Sequence, residues 1–274
     1  MSFFRLSLKS DLEKYLSVLA ISVRNSLEYR FTFYASIVLT PLVFLTIAFL
    51  WKSVYSTTPG SEVGGFSFQE MLSYYAIAEL LFFVLASEVL YETTEEIKSG
   101  EISVYLTKPV SFHLYNFFRN LGNALASVSF RAIPLLVIFK AFFGIFIQTN
   151  VLVLAGFFVS VVFAVVISFL IVSLIACLTF FDLQPWASTQ IFWVFNTIFS
   201  GALVPLSLYP EFLRGVVEVT PFALTTFTPV MVYLEKSSYS LEVFLLQAFW
   251  VVVLLALLKF AWSFSIKKIE VYGG

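Results

Sequence analysis

Long apolar runs alternate with short polar segments along this chain, and the runs have the length of membrane-spanning helices. A helix needs about 20 mostly apolar residues to cross the hydrocarbon core of a bilayer. Six stretches meet this requirement, and they cover approximately residues 31–51, 71–90, 121–143, 151–180, 187–206 and 241–264. The pattern predicts an all-α integral membrane protein with six transmembrane helices, whose transmembrane domain covers residues 31–264.

Two of the predicted spans are irregular. The fourth is long enough to require a tilt or an extension beyond the bilayer. The fifth is interrupted by Asn196, Ser200 and Gly201, and Pro205 follows it. Between the third and fourth spans only a short polar link remains, around residues 148–150, which predicts a tight hairpin.

Residues 1–30 predict an N-terminal amphipathic helix. Apolar residues recur there every three or four positions, at Leu12, Leu16, Leu19, Val23 and Leu27. Charged residues occupy the other faces, so the helix suits the membrane interface.

Residues 91–118 form the longest predicted connection on the side of the N-terminus. The second span continues as a polar helix that stops at Gly100, a residue suited to the left-handed conformation that ends helices. The step from Lys108 to Pro109 ends regular structure, and Ser111 is suited to cap the helix that leads into span three. Apolar residues on this charged projection indicate a docking surface for a soluble partner; they are Ile102, Val104, Tyr105 and Leu106.

Residues 205–238 predict a re-entrant element before the last span, on the opposite side. The segment is too apolar for a free loop, yet its prolines exclude one straight helix; they are Pro205, Pro210, Pro221 and Pro229. Irregular backbone at membrane depth is stable only when it is packed against protein.

Composition excludes several classes of function. Hydrophobic residues make up 60% of the 274 residues and charged residues 12%, about half the charged fraction of a typical soluble protein. The net charge of −1 provides no basic surface for nucleic acid. One cysteine, Cys177, and one histidine, His113, leave no metal cluster. We interpret His113 as an interfacial polar residue rather than a catalytic one.

The sequence has no phosphate-binding loop of the form G-x-x-x-x-G-K-[ST], and no metalloprotease or serine-hydrolase motif. We therefore expect no ATP hydrolysis by this chain, and no bound cofactor or metal.

The distribution of lysine and arginine predicts the orientation. The N-terminal segment, the connection between spans two and three with Arg119 included, and the 265–274 tail contain ten of these residues, and the opposite loops contain three. Basic loops stay in the cytoplasm, so both termini are predicted to be cytoplasmic.

Charged residues within spans are costly and usually face the protein interior. Glu79 in span two and Arg131 in span three lie at similar predicted depths. Two interpretations remain open: they line a transport pathway, or they form a structural pair between the helices. Glu88, Lys140 and Lys259 lie near span ends, where long side chains can reach water.

Two stretches resemble the permease subunit of type 2 ABC exporters (the ABC-2 family). Residues 95–123, EEIKSGEISVYLTKPVSFHLYNFFRNLGN, resemble the family's acidic loop and Lys-Pro step. Residues 200–222, SGALVPLSLYPEFLRGVVEVTPF, resemble its glycine and proline segment before the last helix. The start of the first span is also similar to a subgroup of bacterial permeases.

The resemblance implies a half-channel in a cell inner membrane. Two identical or related permeases would enclose a substrate pathway, and a separate ATPase subunit would bind ATP and magnesium. The ATPase-coupling loop would contain Glu95, Glu96, Lys98, Gly100, Glu101, Ile102, Tyr105, Lys108 and Pro109. The re-entrant element would contain Gly201, Pro205, Pro210 and Pro221.

Two other classes remain as alternatives. A secondary transporter driven by an ion gradient often has internal repeats and broken helices, which the sequence does not display. A membrane-embedded enzyme or assembly factor would place an acid, a base or a metal set at one depth.

Overall fold

A computed structural model describes residues 2–28, 30–57, 60, 62–85, 87–107, 110–181, 184–236 and 241–268, and these are almost entirely helical. Twelve α-helices occur in these ranges, together with one two-stranded hairpin. In chain order they are α1 (Ser2–Glu28), α2 (Arg30–Thr57), β1 (Glu62–Val63), β2 (Phe66–Ser67), α3 (Phe68–Phe82), α4 (Ser87–Lys98), α5 (Ile102–Thr107), α6 (Phe112–Ser127), α7 (Ile133–Phe143), α8 (Val151–Cys177), α9 (Pro185–Phe199), α10 (Glu211–Val217), α11 (Phe227–Tyr233) and α12 (Leu241–Ser265).

Four helical stretches among the described residues are long and apolar enough to cross a membrane. They cover Phe33–Thr57, Phe112–Phe143, Val151–Phe181 and Leu241–Lys268. These correspond to the first, third, fourth and sixth predicted spans, so the all-α prediction is confirmed. The second of these stretches joins α6 to α7 through a π-helical turn at Val128–Ala132, next to Pro134, whose ring disfavours regular α-helical bonding.

The second and fifth predicted spans are not single long helices. Helix α3 has 15 residues, a length of about 22 Å at 1.5 Å per residue, which is shorter than a hydrocarbon core of about 30 Å. It ends in a turn at residues 83–85, before α4 begins. Helix α9 also has 15 residues and stops at Gly201, whose φ of +78° cannot continue a helix. Helix length alone therefore does not establish six crossings.

The link between α7 and α8 is longer than the predicted hairpin. Residues 144–150 are non-helical, starting at Gly144 with a φ of +63°. The backbone N–H of Phe146 donates to Ser73 Oγ at 2.7 Å. Asn150 caps α8, because its side chain accepts from the backbone N–H of Leu152. The link lies across α3 instead of turning sharply.

Helix α3 forms the centre of the apolar core. Residues 71–78 are all buried, and α3 contacts α2, α7 and α11. A second cluster joins α4, α8 and α12. The hairpin before α3 turns at Gly64 and Gly65, both with positive φ, and Ser67 with Glu70 forms a capping box at the start of α3.

Helix α1 packs along α6. Tyr15 stacks on Phe118 with ring centroids 5.4 Å apart, and Ser26 Oγ donates to Asn123 Oδ1 at 3.1 Å. The residues of the apolar stripe predicted for this helix differ in their exposure. Leu12 and Leu16 are exposed, whereas Leu19 and Val23 are half-buried. Leu27 lies outside the described side chains.

The contact between α1 and α6 depends on the absence of a side chain at Gly122. A Cβ atom there would lie 2.6 Å from the carbonyl oxygen of Leu19 and 2.7 Å from Cβ of Ser22. Both neighbours are rigid, so the two helices would have to separate.

We predict that Gly122→Val destabilises the protein by about 1–3 kcal/mol, the usual cost of overpacking. Thermal unfolding in detergent measures the loss, and limited proteolysis within α1 should become faster. Gly215→Val is the matched control, because nothing lies within 4 Å of a Cβ at that helical glycine. Equal stability of both variants would contradict the proposed close contact.

Candidate functional site at the turn between α4 and α5

Gly100 reverses the chain between α4 and α5. Its φ is +79°, the left-handed conformation expected from the sequence. The backbone N–H of Ser99 donates to the Glu95 carbonyl at 2.8 Å, and that of Ser103 donates to the Gly100 carbonyl at 3.0 Å. The Ser103 hydroxyl also donates to the Gly100 carbonyl, at 2.8 Å. The turn is therefore a fixed structure between two helices.

A buried ion pair joins α4 to α6 beside this turn. Arg119 Nη1 lies 2.5 Å from Glu96 Oε1, and its Nε lies 3.6 Å from Glu92 Oε2. The side chains of Arg119 and Glu96 are 15% and 12% exposed. Glu96 therefore points into the protein, and it does not lie on the docking face that the sequence predicted.

Helix α5 is held against the start of α6 by aromatic packing. Tyr105 lies 5.4 Å from the ring of Phe112 and 5.0 Å from that of Tyr115, and its hydroxyl donates to Glu96 Oε1 at 3.3 Å. Burial and the adjacent Glu96 carboxylate raise the pKa of Tyr105, so the hydroxyl stays protonated and remains a donor. Helices α4, α5 and α6 thus form one rigid unit at this end.

The remaining predicted coupling residues fall into two groups. Ile102 is 1% exposed and belongs to the core, so its predicted role as an exposed apolar contact is wrong. Glu95, Lys98 and Glu101 are exposed, and Val104 is 47% exposed. The accessible surface of the turn is thus mainly charged. Lys108 and Pro109 lie outside the described residues, and Leu106 lies outside the described side chains.

Arg119 is the residue at this site that the sequence reasoning missed. It was counted as a loop charge, but it lies within α6 and inside a candidate span. The available signal was its position in an apolar helical segment, since a charge in such a segment requires a partner. Glu92 and Glu96, four residues apart on α4, are the acids that supply it.

The predicted re-entrant segment folds back against α3. The hydroxyl of Tyr74 donates to the Gly201 carbonyl at 2.8 Å, and that of Tyr75 donates to the Leu203 carbonyl at 2.9 Å. A Cβ at Gly201 would lie 2.9 Å from the Tyr74 hydroxyl. Pro205 is buried. This part of the chain is therefore packed and hydrogen-bonded against α3, and it is not a free loop.

Prolines divide the rest of this segment into short helices. Pro210 is exposed and immediately precedes α10, and Pro221 is half-buried in the turns that lead to α11. Trp250 Nε1 on α12 donates to the Val219 carbonyl at 2.7 Å. The segment between α9 and α12 is therefore bonded to two other helices.

A polar cluster fixes the far end of α11. Lys236 Nζ lies 2.8 Å from Glu70 Oε1 and donates to the Gly65 carbonyl at 2.9 Å. The Gln148 amide donates to Glu235 at 2.7 Å and to the Tyr233 carbonyl at 3.2 Å. The hairpin, α3, the 144–150 link and α11 meet at this cluster.

Among the described residues no ion pair joins Glu79 to Arg131. The Arg131 guanidinium lies 4.6 Å from the centroid of Phe33 and 5.5 Å from that of Phe83. Arg131 is 7% exposed, so it faces the interior, as expected of an intramembrane charge. Lys140 Nζ donates to the carbonyl of Ile145, just beyond its own helix end. Glu88 lies outside the described side chains.

His113, at the start of α6, makes a T-shaped contact with the ring of Trp262, with centroids 4.3 Å apart. Among the described residues, no three His, Cys, Asp or Glu side chains converge into a potential metal site. The geometry thus identifies packing and hydrogen bonding, and it gives no catalytic arrangement around His113.

Comparison with protein families identifies the class of protein to which these apolar helices belong. The model of a family described as "ABC-2 family transporter protein" matches residues 41–273. The match covers most of the chain, so the protein belongs to the ABC-2 transporter family, as a multi-pass membrane permease. A search of curated proteins gave no match.

We predict that Arg119→Met destabilises the protein by about 3–5 kcal/mol, the cost of leaving one partner of a buried ion pair uncompensated. Arg214→Met is the control, because its pair with Glu218 is 45% and 31% exposed and such pairs contribute under about 1 kcal/mol. Thermal unfolding in detergent compares the two variants. Similar small losses in both would show that the Arg119 pair does not join α4 to α6 tightly.

The Glu70–Lys236 pair predicts a loss of stability in acid. Burial opposes the charge on Glu70, but bonds from Lys236 and Ser67 outweigh it and lower its pKa below the ordinary 4.5. A lowered folded-state pKa stabilises the fold above the unfolded value, and this contribution is lost as pH falls through the folded value. Glu70→Gln should therefore unfold at a lower temperature near neutral pH. It should also lose less stability than the wild type between about pH 5 and pH 3.

Glu62→Gln provides a matched control, because Glu62 is an exposed carboxyl in the hairpin that precedes α3. Its acid response should follow that of the wild type. Identical acid responses in all three proteins would show that the Glu70 pair makes no measurable contribution.

Proposed function

We propose that this chain is the membrane-spanning permease of an ATP-binding cassette exporter, and that two copies or two related permeases form the substrate pathway. A separate ATPase subunit, with bound ATP and magnesium, supplies the energy. Membership of the ABC-2 family supports the class of protein. The observation that carries the coupling step is the turn at Gly100, which is fixed to α6 through Glu96 and Arg119.

The proposed coupling follows from the rigidity of this unit. A partner that pushes on the exposed residues Glu101 and Val104 displaces α5. Because Tyr105 packs on Phe112 and Tyr115, and Glu96 is bound to Arg119, α4 and α6 move with it. Both helices continue into the transmembrane bundle, so the displacement reaches the pathway.

We further propose a six-span topology with both termini in the cytoplasm of a bacterial cell. In this arrangement α3 and α4 together make the second crossing, and α9 makes the fifth. The segment from Gly201 to Lys236 is the outer re-entrant element. Because Arg119 lies in α6, it no longer counts as a loop residue. Nine lysine and arginine residues then remain on the proposed cytoplasmic side against three outside, so the excess of basic residues on the cytoplasmic side is preserved. The exposed apolar residues of α1, Leu12 and Leu16, would then contact the inner membrane interface.

We predict that Glu101→Arg weakens binding of the ATPase while leaving the permease folded, because it reverses one exposed charge at the docking surface. Gly100→Val should also reduce coupling, since a β-branched residue is strained at a φ of +79°. Co-purification and ATP hydrolysis by the complex measure both effects. The pure permease should hydrolyse no ATP.

Glu211→Arg is the matched control, since it reverses an exposed charge at the start of α10, on the proposed outer side. It should leave binding unchanged. Full ATPase binding and hydrolysis in both the Glu101 and Gly100 variants would reduce the turn to a simple connector.

We predict that residue 60 is labelled from outside the cell. Gly60 is exposed and precedes the hairpin, so a cysteine placed there in a Cys177→Ser background should react with a membrane-impermeant thiol reagent in intact cells. A cysteine at Glu101 should react only after lysis. The reverse pattern would overturn the proposed orientation.

A further inference from the structure

One face of α6 carries a row of polar residues, although the helix belongs to a candidate membrane span. The row consists of His113, Asn116, Asn120, Asn123 and Ser127. Residues three or four apart share a helix face. Asn116 and Asn120 are 2% and 3% exposed, so this face points into the bundle, toward α4 and α8.

Several polar atoms in this row have no hydrogen-bond partner in the described part of the protein. They are both amide atoms of Asn116, the amide nitrogen of Asn120 and Nε2 of His113. Asn123, in contrast, is bonded to Ser26 of α1. Buried polar groups in folded proteins are nearly always bonded either to protein or to ordered water.

Two small cavities lie beside these atoms. The first is lined by Asn116 and His113, by Thr93 of α4 and by Ser173 of α8, and Cys177 also borders it. The second is lined by Asn120, Asn123 and Ser127 together with residues 82–85. Each cavity has room for about one water molecule.

We propose that α6 holds an ordered water molecule in each of these cavities, so that the helix is hydrated inside the bundle. The lining has the required chemistry, because an amide both donates and accepts and the hydroxyls of Thr93 and Ser173 do the same. Among the described side chains, none that lines either cavity is charged, and the size of the cavities excludes a lipid headgroup. Water is therefore the ligand that fits.

The first cavity lies next to the unit formed by α4, α5 and α6. Thr93 and Ile97 of α4 border it, within one turn of Glu96. A water molecule can exchange hydrogen-bond partners when two helices shift, whereas a tightly packed apolar contact cannot. The site thus allows small movements of this unit against α8, whose Ser173 and Cys177 line the same cavity, without leaving the Asn116 amide unbonded. The inference concerns this chain alone and holds whether or not an ATPase docks at the turn.

Radiolytic footprinting tests the proposal, because X-rays convert bound water into hydroxyl radicals that oxidise the nearest side chains. Cys177 is the reporter: it is the only cysteine in the sequence, borders the first cavity and is 3% exposed. Met71 is the internal control, since its sulfur is also readily oxidised but its side chain is 0% exposed in the apolar core around α3. Each rate is normalised to that of the same residue in the unfolded chain.

We expect Cys177 to be oxidised several-fold faster than Met71 in the folded wild type. Asn116→Leu, which keeps the shape but removes the amide, should lower the Cys177 rate to that of Met71. Asn116→Ser, which puts a hydroxyl in place of the amide, should keep most of the wild-type Cys177 rate. Equal rates for Cys177 and Met71 in the wild type would overturn the proposal even if no variant folds. An unchanged Cys177 rate in Asn116→Leu would overturn it as well, because the water would not be held by this amide.

Discussion

Unbonded peptide groups inside an apolar bundle are the constraint that organises this protein. Lipid offers no hydrogen bonds, so every helix that stops within the bundle must find partners for its free N–H and C=O groups in the protein itself. The chain stops helices at several such places. At several of them a tyrosine, glutamine or tryptophan from another helix reaches the exposed backbone.

The tyrosines of α3 are the clearest case. Tyr74 and Tyr75 are adjacent, yet both reach the carbonyls that become free where α9 ends at Gly201. On the other side of the segment, Gln247 of α12 donates to the carbonyls of Ser160 and Leu224 at 3.1 Å. These bonds allow a short helix, a sharp turn and two further helices to replace one continuous span. They also explain why α3, although short, lies at the centre of the core.

A buried charge at the opposite end of the bundle must likewise find its partners within the protein. The Arg119 guanidinium is mostly buried and would be costly there without compensation, and two acids of α4 supply it. The resulting clamp makes the turn at Gly100 rigid. Rigidity is what a transmitting element requires, because a flexible connector would absorb a displacement before it reached the membrane. The polar row of α6 is the complementary feature, since the small cavity beside Asn116 leaves this rigid unit room to move against α8.

Part of this structure followed from local sequence. The end of α7, the start of α8 and both ends of α12 were predicted within a residue, because each lies where a long apolar run meets Gly144, Asn150 or polar residues. The left-handed turn at Gly100 and the cap at Ser111 were predictable for the same reason, since both depend on the conformational preference of a single residue.

Only the tertiary structure decided where side chains point and which helices are interrupted. Periodicity did not distinguish Glu95, which is exposed, from Glu96, which turns inward to a residue 23 positions away. It did not show that Ile102 is buried, or that Arg131 faces Phe33 and Phe83 instead of Glu79. Hydropathy likewise extended the second predicted span beyond the end of α3 and the fifth beyond the end of α9 as far as Pro205. It measures the length of an apolar stretch and not the direction of the backbone. Partners distant in the sequence determine these features, and a chain read residue by residue does not contain their geometry.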